Sequence, residues 1–302
     1  MKSMESADLR VFEAVLRHGN MKRAAEELNT VQSNITARIR ALEEAHGVAL
    51  FERHARGVTP TQAAERLRPF ALQVTKLLAD ARIALRDNGA PAGPLRLGSM
   101  ETTMALRLAP LLSAFTLLYP AVQLSILTGP TVQLVRDVAE GRLNGAFVSG
   151  PLVHPALCQR VMFHEELVLL TSGAIQSVDE LAAQETIKLV AFQTGCSYRQ
   201  RLEAALAHRG IVTTEWLVFG SLDAIMACVE AGAGVTLLPR AVAAPALARG
   251  RLVAHTLPPE QAMVETLFIQ RRDAYISSAL AAFIDMARKN ADSSNHDLGL
   301  LR

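Results

Sequence analysis

The stretch MKRAAEELNTVQSNITARIRALE, residues 21–43, holds two short amphipathic periods broken in the middle. Met21, Ala24, Ala25 and Leu28 recur at helical spacing, and so do Val31, Ile35, Ile39 and Leu42. Asn29-Thr30 separates the two runs, with Thr30 placed to cap the second. The small pair Ala24-Ala25 lets two helices cross closely, as a helix-turn-helix requires. Just upstream, Leu9, Phe12 and Val15 give a third helix, ended by Gly19-Asn20.

Working outward, residues 48–51 (VALF), the polar turn 52–57 and residues 58–60 (VTP) read as a two-stranded wing. From Thr61 to about Arg86 there is no glycine, and Leu67, Phe70, Val74, Leu77, Ala81 and Ala84 alternate at spacings of three and four. That is a coiled-coil seam, a dimer interface by heptad logic, with Pro69 predicting a bend; a helix packed on its own domain would show the same stripe. The run Gly89-Ala-Pro-Ala-Gly-Pro94 is a linker by composition. Beyond it, strands are expected at 95–98, 122–127, 143–148, 167–170, 188–192, 217–219, 235–238 and 267–270, with helices between them or beginning near Tyr198, Leu222 and Ser277. Alternation of this kind is βαβ logic and a mostly parallel sheet.

Composition narrows the function class. With 302 residues, half of them apolar and a fifth charged, the chain is too long for one ordinary core. The net charge of +2 is carried at the front, where residues 1–90 hold three more basic than acidic side chains, mildly favouring a polyanionic partner there. Cys158, Cys196 and Cys228 lie far apart without metal-ligand spacing, so a reducing, cytoplasmic setting fits best and neither disulfide nor metal is expected. Lys2, Glu5, Asp8, Arg10 and Glu13 break any signal-peptide core, and Pro110, Pro120 and Pro130 break the long uncharged stretch 108–135, so no membrane span is expected.

Placing Ile35 on the buried face of the third helix turns Ser33, Ala37 and Arg40 outward, flanked by Gln32, Asn34 and Thr36. Gln and Asn can pair with adenine, Arg with guanine, and Ser or Thr with bases or phosphates. Between Leu28 and Leu42 the only charges are Arg38 and Arg40, so nothing there repels phosphate. Lys22, Arg23, Arg53 and Arg56 could hold the DNA backbone from the second helix and the wing. Singly, each of these residues could equally be a solvated surface side chain.

Taken together, the segments FEAV (12–15), RAAEEL (23–28), QSNIT (32–36), IRALE (39–43) and GVALFER (47–53) resemble the LysR-type transcriptional regulators, and the likeness spans nearly the whole chain. Three positions depart from that pattern: Ser33 stands where proline is frequent, Ala37 where arginine or another polar residue is common, and Ala64 where glycine often opens the linker helix. The resemblance implies a winged helix-turn-helix, a dimerising linker helix, and an effector domain of periplasmic-binding-protein type with two subdomains around a cleft, usually assembled as a tetramer. Partners would then be double-stranded promoter DNA, a small-molecule effector and further copies of the chain, with RNA polymerase an additional one. The expected fold class is therefore an α+β winged helix-turn-helix domain (1–60) and linker helix (61–90), followed by an α/β two-subdomain effector domain (91–291) and a flexible tail (292–302). Subdomain one comprises about 91–161 and 266–291, and subdomain two about 162–265.

In open α/β sheets ligands bind where strands end and helices begin. That rule selects Ser99, Glu101, Thr102 and Thr103 after the first strand, Thr128 after the second, Ser149 after the third, and Thr194, Cys196, Ser197 and Ser221 in the second subdomain. The resemblance implies pocket lining for Ser99, Thr102, Thr128 and segment 194–198; helix capping is the ordinary use of such residues. Glu101 could pair with a cationic group, so an amine, a zwitterion or a carboxylate is the expected effector. A thiol sensor based on Cys196, near Arg199 and Arg201, is the rival reading, with no resolving cysteine in the following loop. No catalytic triad, metal cluster or phosphate loop is assembled by spacing, so neither enzymatic activity nor a cofactor is expected.

Overall fold

A computed structural model describes residues 4–55, 57–184, 186–211 and 215–299, with side chains to Ala291 in the last stretch. The chain divides into two compact units, 1–86 and 87–302.

The first unit runs α1 (Ser6–His18), α2 (Met21–Glu27), α3 (Gln32–His46), β1 (Phe51–His54), β2 (Gly57–Pro60) and α4 (Gln62–Ala84). Gly19 ends α1 in the left-handed conformation, and the Asn20 side chain at once caps α2 by accepting from Lys22 N–H (2.9 Å) and Arg23 N–H (3.2 Å). The cap of α3 is Val31 rather than Thr30. The Thr30 hydroxyl instead accepts the Asn34 amide at 3.0 Å, one turn into the helix. Phe12, Val15, Ala24, Ile35 and Ile39 are buried against one another together with Leu50, Phe51 and Val58. The wing hangs from this core by two attachments. Glu43 at the end of α3 accepts N–H groups of Leu50 (2.8 Å) and Phe51 (3.1 Å), which delays the strand to Phe51 rather than Val48. Val58 N–H reaches the Gly19 carbonyl at 2.9 Å.

That second attachment brings backbones so close that only glycine fits at position 57. Gly57 has φ +145°, and a β-carbon there would overlap the Gly19 carbonyl oxygen. Gly57→Ala is expected to destabilise the first unit by about 1–3 kcal/mol, the cost of a strained backbone position. Urea unfolding of the full chain, followed by a probe in residues 1–86, checks this; an unchanged midpoint would mean that the wing is free to move off α1.

Helix α4 starts at Thr61, whose hydroxyl accepts from Ala64 N–H at 3.3 Å, and it continues through Pro69. Ala64 and Ala71 are buried in the core of this unit, and the Thr75 hydroxyl meets Glu13 of α1 at 2.8 Å.

The second unit runs β3 (Gly93–Ser99), α5 (Glu101–Thr103), a π-helical turn (Met104–Leu108), α6 (Ala109–Leu118), β4 (Val122–Thr128), α7 (Thr131–Ala139), β5 (Gly145–Ser149) and β6 (Leu157–Ser172). It goes on with α8 (Val178–Ala182), β7 (Lys188–Phe192), α9 (Ser197–Ala207), β8 (Glu215–Phe219), α10 (Leu222–Glu230), β9 (Thr236–Pro239) and α11 (Arg240–Ala248). It closes with β10 (Leu252–Thr256), α12 (Pro259–Ala262), β11 (Met263–Arg271) and α13 (Ser278–Gly299).

The sheet order is β4-β3-β5-β11-β6-β10, with β9 also on β6. Pairing is parallel among β4, β3 and β5 and antiparallel at β11 and β6, so the sheet is mixed. Strand β6 carries the architecture. Its first part, to Glu166, pairs with β11; from Leu167 it pairs with β9 and β10. Each part of the strand packs into a different core. Leu95, Leu97, Phe115, Phe147, Met162, Phe163 and Phe283 fill one, whereas Leu167–Leu170, Leu189, Val190, Leu202 and Ile225 belong to the other. Met162 and Phe163 thus pack with the first subdomain, and the crossing falls at Glu166/Leu167, five residues beyond the expected boundary. Helix α13 runs to Gly299, past the point where a flexible tail was expected, because residues 292–298 contain no glycine or proline to stop it.

Candidate DNA-reading surface and effector cleft

On α3, Ile35 and Ile39 face the core and Gln32, Ser33, Asn34, Ala37 and Arg40 are exposed. Gln32, Ser33, Thr36, Ala37 and Arg40 line one shallow depression on that face. Lys22 and Arg23 stand exposed at the start of α2, where Asn20 fixes the backbone, and Arg53 is exposed on β1. Arg56 lies outside the described residues. Arg38 behaves differently, because its guanidinium donates to Asp8 of α1 at 2.8 Å and is half-buried. The pair ties α3 to α1.

In the second unit a cavity of about 190 Å³ opens between the subdomains. Met100, Glu101 and Thr102 line it from the start of the α5 segment, Thr128, Gly129, Pro130 and Thr131 from the β4–α7 corner, and Phe192, Gln193, Cys196, Tyr198, Phe219 and Gly220 from the ends of β7 and β8 and the start of α9. Four of the sequence-selected residues therefore meet here: Glu101, Thr102, Thr128 and Cys196. Six do not line it. The hydroxyls of Ser99 and Ser149 are buried and donate to the carbonyls of Met100 (2.9 Å) and Gly150 (3.3 Å). Thr103 is buried, Thr194 and Ser221 are exposed beside the cavity, and Ser197 Oγ is buried at the first position of α9 without a partner. Phe192 and Phe219, not selected from the sequence, also line the cavity; both end parallel strands, the position the strand-end rule picks out.

Two contacts bridge the cleft. The Thr102 and Tyr198 hydroxyls lie close enough to act on each other, and burial pushes the Tyr198 phenol well above its ordinary range, so it stays protonated. The Arg201 guanidinium donates to the Gly150 carbonyl at 3.3 Å. At the crossing of β6, two successive carboxylates are each held by an arginine of a different subdomain. Glu165 accepts from Arg107 at 3.0 Å, and Glu166 takes a two-pronged contact from Arg240 at 2.8 and 3.0 Å.

Cys196 caps α9, and burial raises its thiol above the usual value, although N–H groups of Tyr198 and Arg199 and the Arg199 charge act the other way. Arg199 itself stacks on the Trp216 ring at 3.8 Å. The sulfur is thus a neutral pocket group, contrary to what a peroxide sensor needs. Iodoacetamide at pH 7.5 is expected to modify Cys196 no faster than an unperturbed thiol, as followed by mass spectrometry; faster modification would restore the sensor reading. Among the described residues, no cluster of three His, Cys, Asp or Glu could hold a metal, and no helix is long and apolar enough to cross a membrane.

Comparison with known proteins places both units. The bacterial regulatory helix-turn-helix family of lysR type matches residues 6–65, and the LysR substrate binding domain matches residues 88–292. The HTH-type transcriptional regulator GltR of Bacillus subtilis is 41% identical over 280 residues, 93% of this chain and 95% of GltR. The HTH-type regulator YofA of the same organism is 40% identical, covering 93% of this chain and 98% of its own. Full-length CbnR, solved with its target DNA, superposes with a TM-score of 0.51 at 25% identity, over 95% of this chain and 100% of CbnR. These relatives are named as transcriptional regulators, not enzymes. The chain belongs to the LysR family of bacterial helix-turn-helix transcriptional regulators, with an amino-terminal DNA-binding domain and a carboxy-terminal effector-binding domain.

Proposed function

We propose that α3 reads the major groove of promoter DNA through Gln32, Ser33, Asn34, Thr36 and Arg40, while Lys22, Arg23, Arg53 and Arg56 hold the phosphates. The exposed face of α3 from Gln32 to Arg40, which holds no acidic residue, carries this reading. Arg38 contributes by fixing α3 on α1 through Asp8 rather than by touching a base. The chain works as a homodimer through α4 and assembles into a tetramer, reading a dyad-symmetric site, in the cytoplasm and within reach of RNA polymerase. CbnR, solved on its target DNA, is the precedent for the DNA complex.

The effector is a small amine, zwitterion or carboxylate bound in the cleft between the subdomains, where Glu101, Thr102, Thr128 and Cys196 converge. Its binding changes the closure of the subdomains and so the spacing of the two DNA-reading heads.

Selection of genomic fragments by the purified full-length protein at two salt concentrations tests the DNA reading. One dyad-symmetric site that persists at the higher salt is the expected result, and uniform, salt-erased binding would refute sequence-specific regulation. On the selected site, Arg40→Ala is expected to weaken binding by about 1–3 kcal/mol, because one bidentate base contact is lost.

A further inference from the structure

Glu101 stands apart from the other shielded acids of this chain. Asp8 is held by Arg38 (2.8 Å), Glu165 by Arg107 (3.0 Å), Glu166 by Arg240 (2.8 Å) and Asp137 by Arg142. Glu101 is half-buried, lines the cleft cavity, and has no hydrogen bond or ion pair among the described residues. A carboxylate taken partly out of water without a partner costs free energy, which a bound cation would return.

The rest of the lining points the same way. Among the described residues no lysine, arginine or histidine lines the cavity, and Glu101 supplies the one formal charge among them; Tyr198 and Cys196 remain neutral there. The rings of Phe192, Phe219 and Tyr198 line the same space, and aromatic faces attract ammonium groups while offering nothing to a free carboxylate. The cavity, about 190 Å³, has room for a small molecule.

We propose that the effector cleft recognises an ammonium group: Glu101 pairs with it, the aromatic rings flank it, and the small remainder of the ligand is held by Thr102, Thr128 and Gln193. This rests on the cleft being the effector site, and it narrows the ligand to a compact amine or amino acid, excluding simple carboxylates.

Calorimetric titration of the full-length protein with three matched sets tests it: the common amino acids, the amines left by removing their carboxylate, and the acids left by removing their amino group. At least one compound of the first two sets should bind, its deaminated counterpart should not, and Glu101→Gln should weaken the binding about 10- to 100-fold, the loss of a charge-assisted contact. Binding by the amines alone, or by the amino acids alone, tells the two ammonium sources apart. Binding of the deaminated acids, absence of any ammonium binder, or undiminished affinity in Glu101→Gln each overturns the proposal. DNA selection by the same preparation is independent of these outcomes, so failure here leaves the regulator reading standing.

Discussion

Arg107→Ala should lower the stability of the effector domain by about 3–5 kcal/mol, the cost of leaving a buried carboxylate unpaired. Glu165 is 6% exposed, and its one arginine, half-shielded itself, lies with the guanidinium 5.4 Å above the Phe163 ring. Water has little room to replace the lost partner. The reverse change, Glu165→Gln, should cost less, since Arg107 is the more exposed of the two and an amide oxygen can still accept from it. Removing both charges, as in Arg107→Met with Glu165→Leu, should recover most of the loss, because no charge is then stranded. Urea denaturation of the four proteins measures these differences; a cost below about 1 kcal/mol for Arg107→Ala would mean that the pair is effectively solvated. The position matters for function as well. Arg107 lies in the π-helical turn that directly follows Glu101 and Thr102, and Glu165 sits at the crossing of β6, close enough to Tyr198 to act on its phenol. Loosening the pair should therefore also widen the range of cleft closure.

The same contrast between local and distant causes separates what could be read in the sequence from what could not. The outward face of α3 was legible, since a one-sided helix writes its orientation into a 3.6-residue period; Ser33, Ala37 and Arg40 are exposed as that period requires. Arg38 was not, because its partner Asp8 is 30 residues away and nothing in a single sequence announces the pair. In the cleft, hydroxyl and glycine residues after strands pointed to Thr102 and Thr128, which line the cavity. Ser99 and Ser149 carry the same local signature but sit one step below the cavity floor, where their hydroxyls turn to backbone carbonyls. Phe192 and Phe219 look like core in any composition-based reading, and only their place at strand ends betrays them. Strand β6 was seen over its apolar half alone, since residues 157–166 mix polar and apolar side chains where one face of the strand is solvated.

Leu77→Glu should dissociate the dimer and, with it, most of the DNA affinity. One face of α4 packs on α1, yet Phe70 (63%), Leu77 (68%) and Leu85 (87%) stand exposed on an adjoining stripe together with Val74 and Ala81. Five such positions at spacings of three and four fit the seam of the proposed two-helix contact, and none of them is buried among the described residues. Burying a leucine is worth about 1.5–3 kcal/mol, and a two-fold interface contains each residue twice. Leu77→Glu should therefore cost roughly 3–6 kcal/mol of dimer stability, a factor of about 10²–10⁴ in dissociation constant, before any repulsion between the two glutamates. A DNA-binding domain released from its partner must find its half-site alone and loses the effective concentration that linkage provides. Affinity for a dyad-symmetric site should fall by at least about 100-fold, while binding to a single half-site stays unchanged. Ala79→Glu introduces the same charge on the same helix, well around from the stripe, and should do neither. Sedimentation velocity and fluorescence anisotropy on the three proteins decide the matter. If Leu77→Glu remains a dimer, the chain associates through its effector domains instead, and the exposed stripe of α4 must serve a different contact.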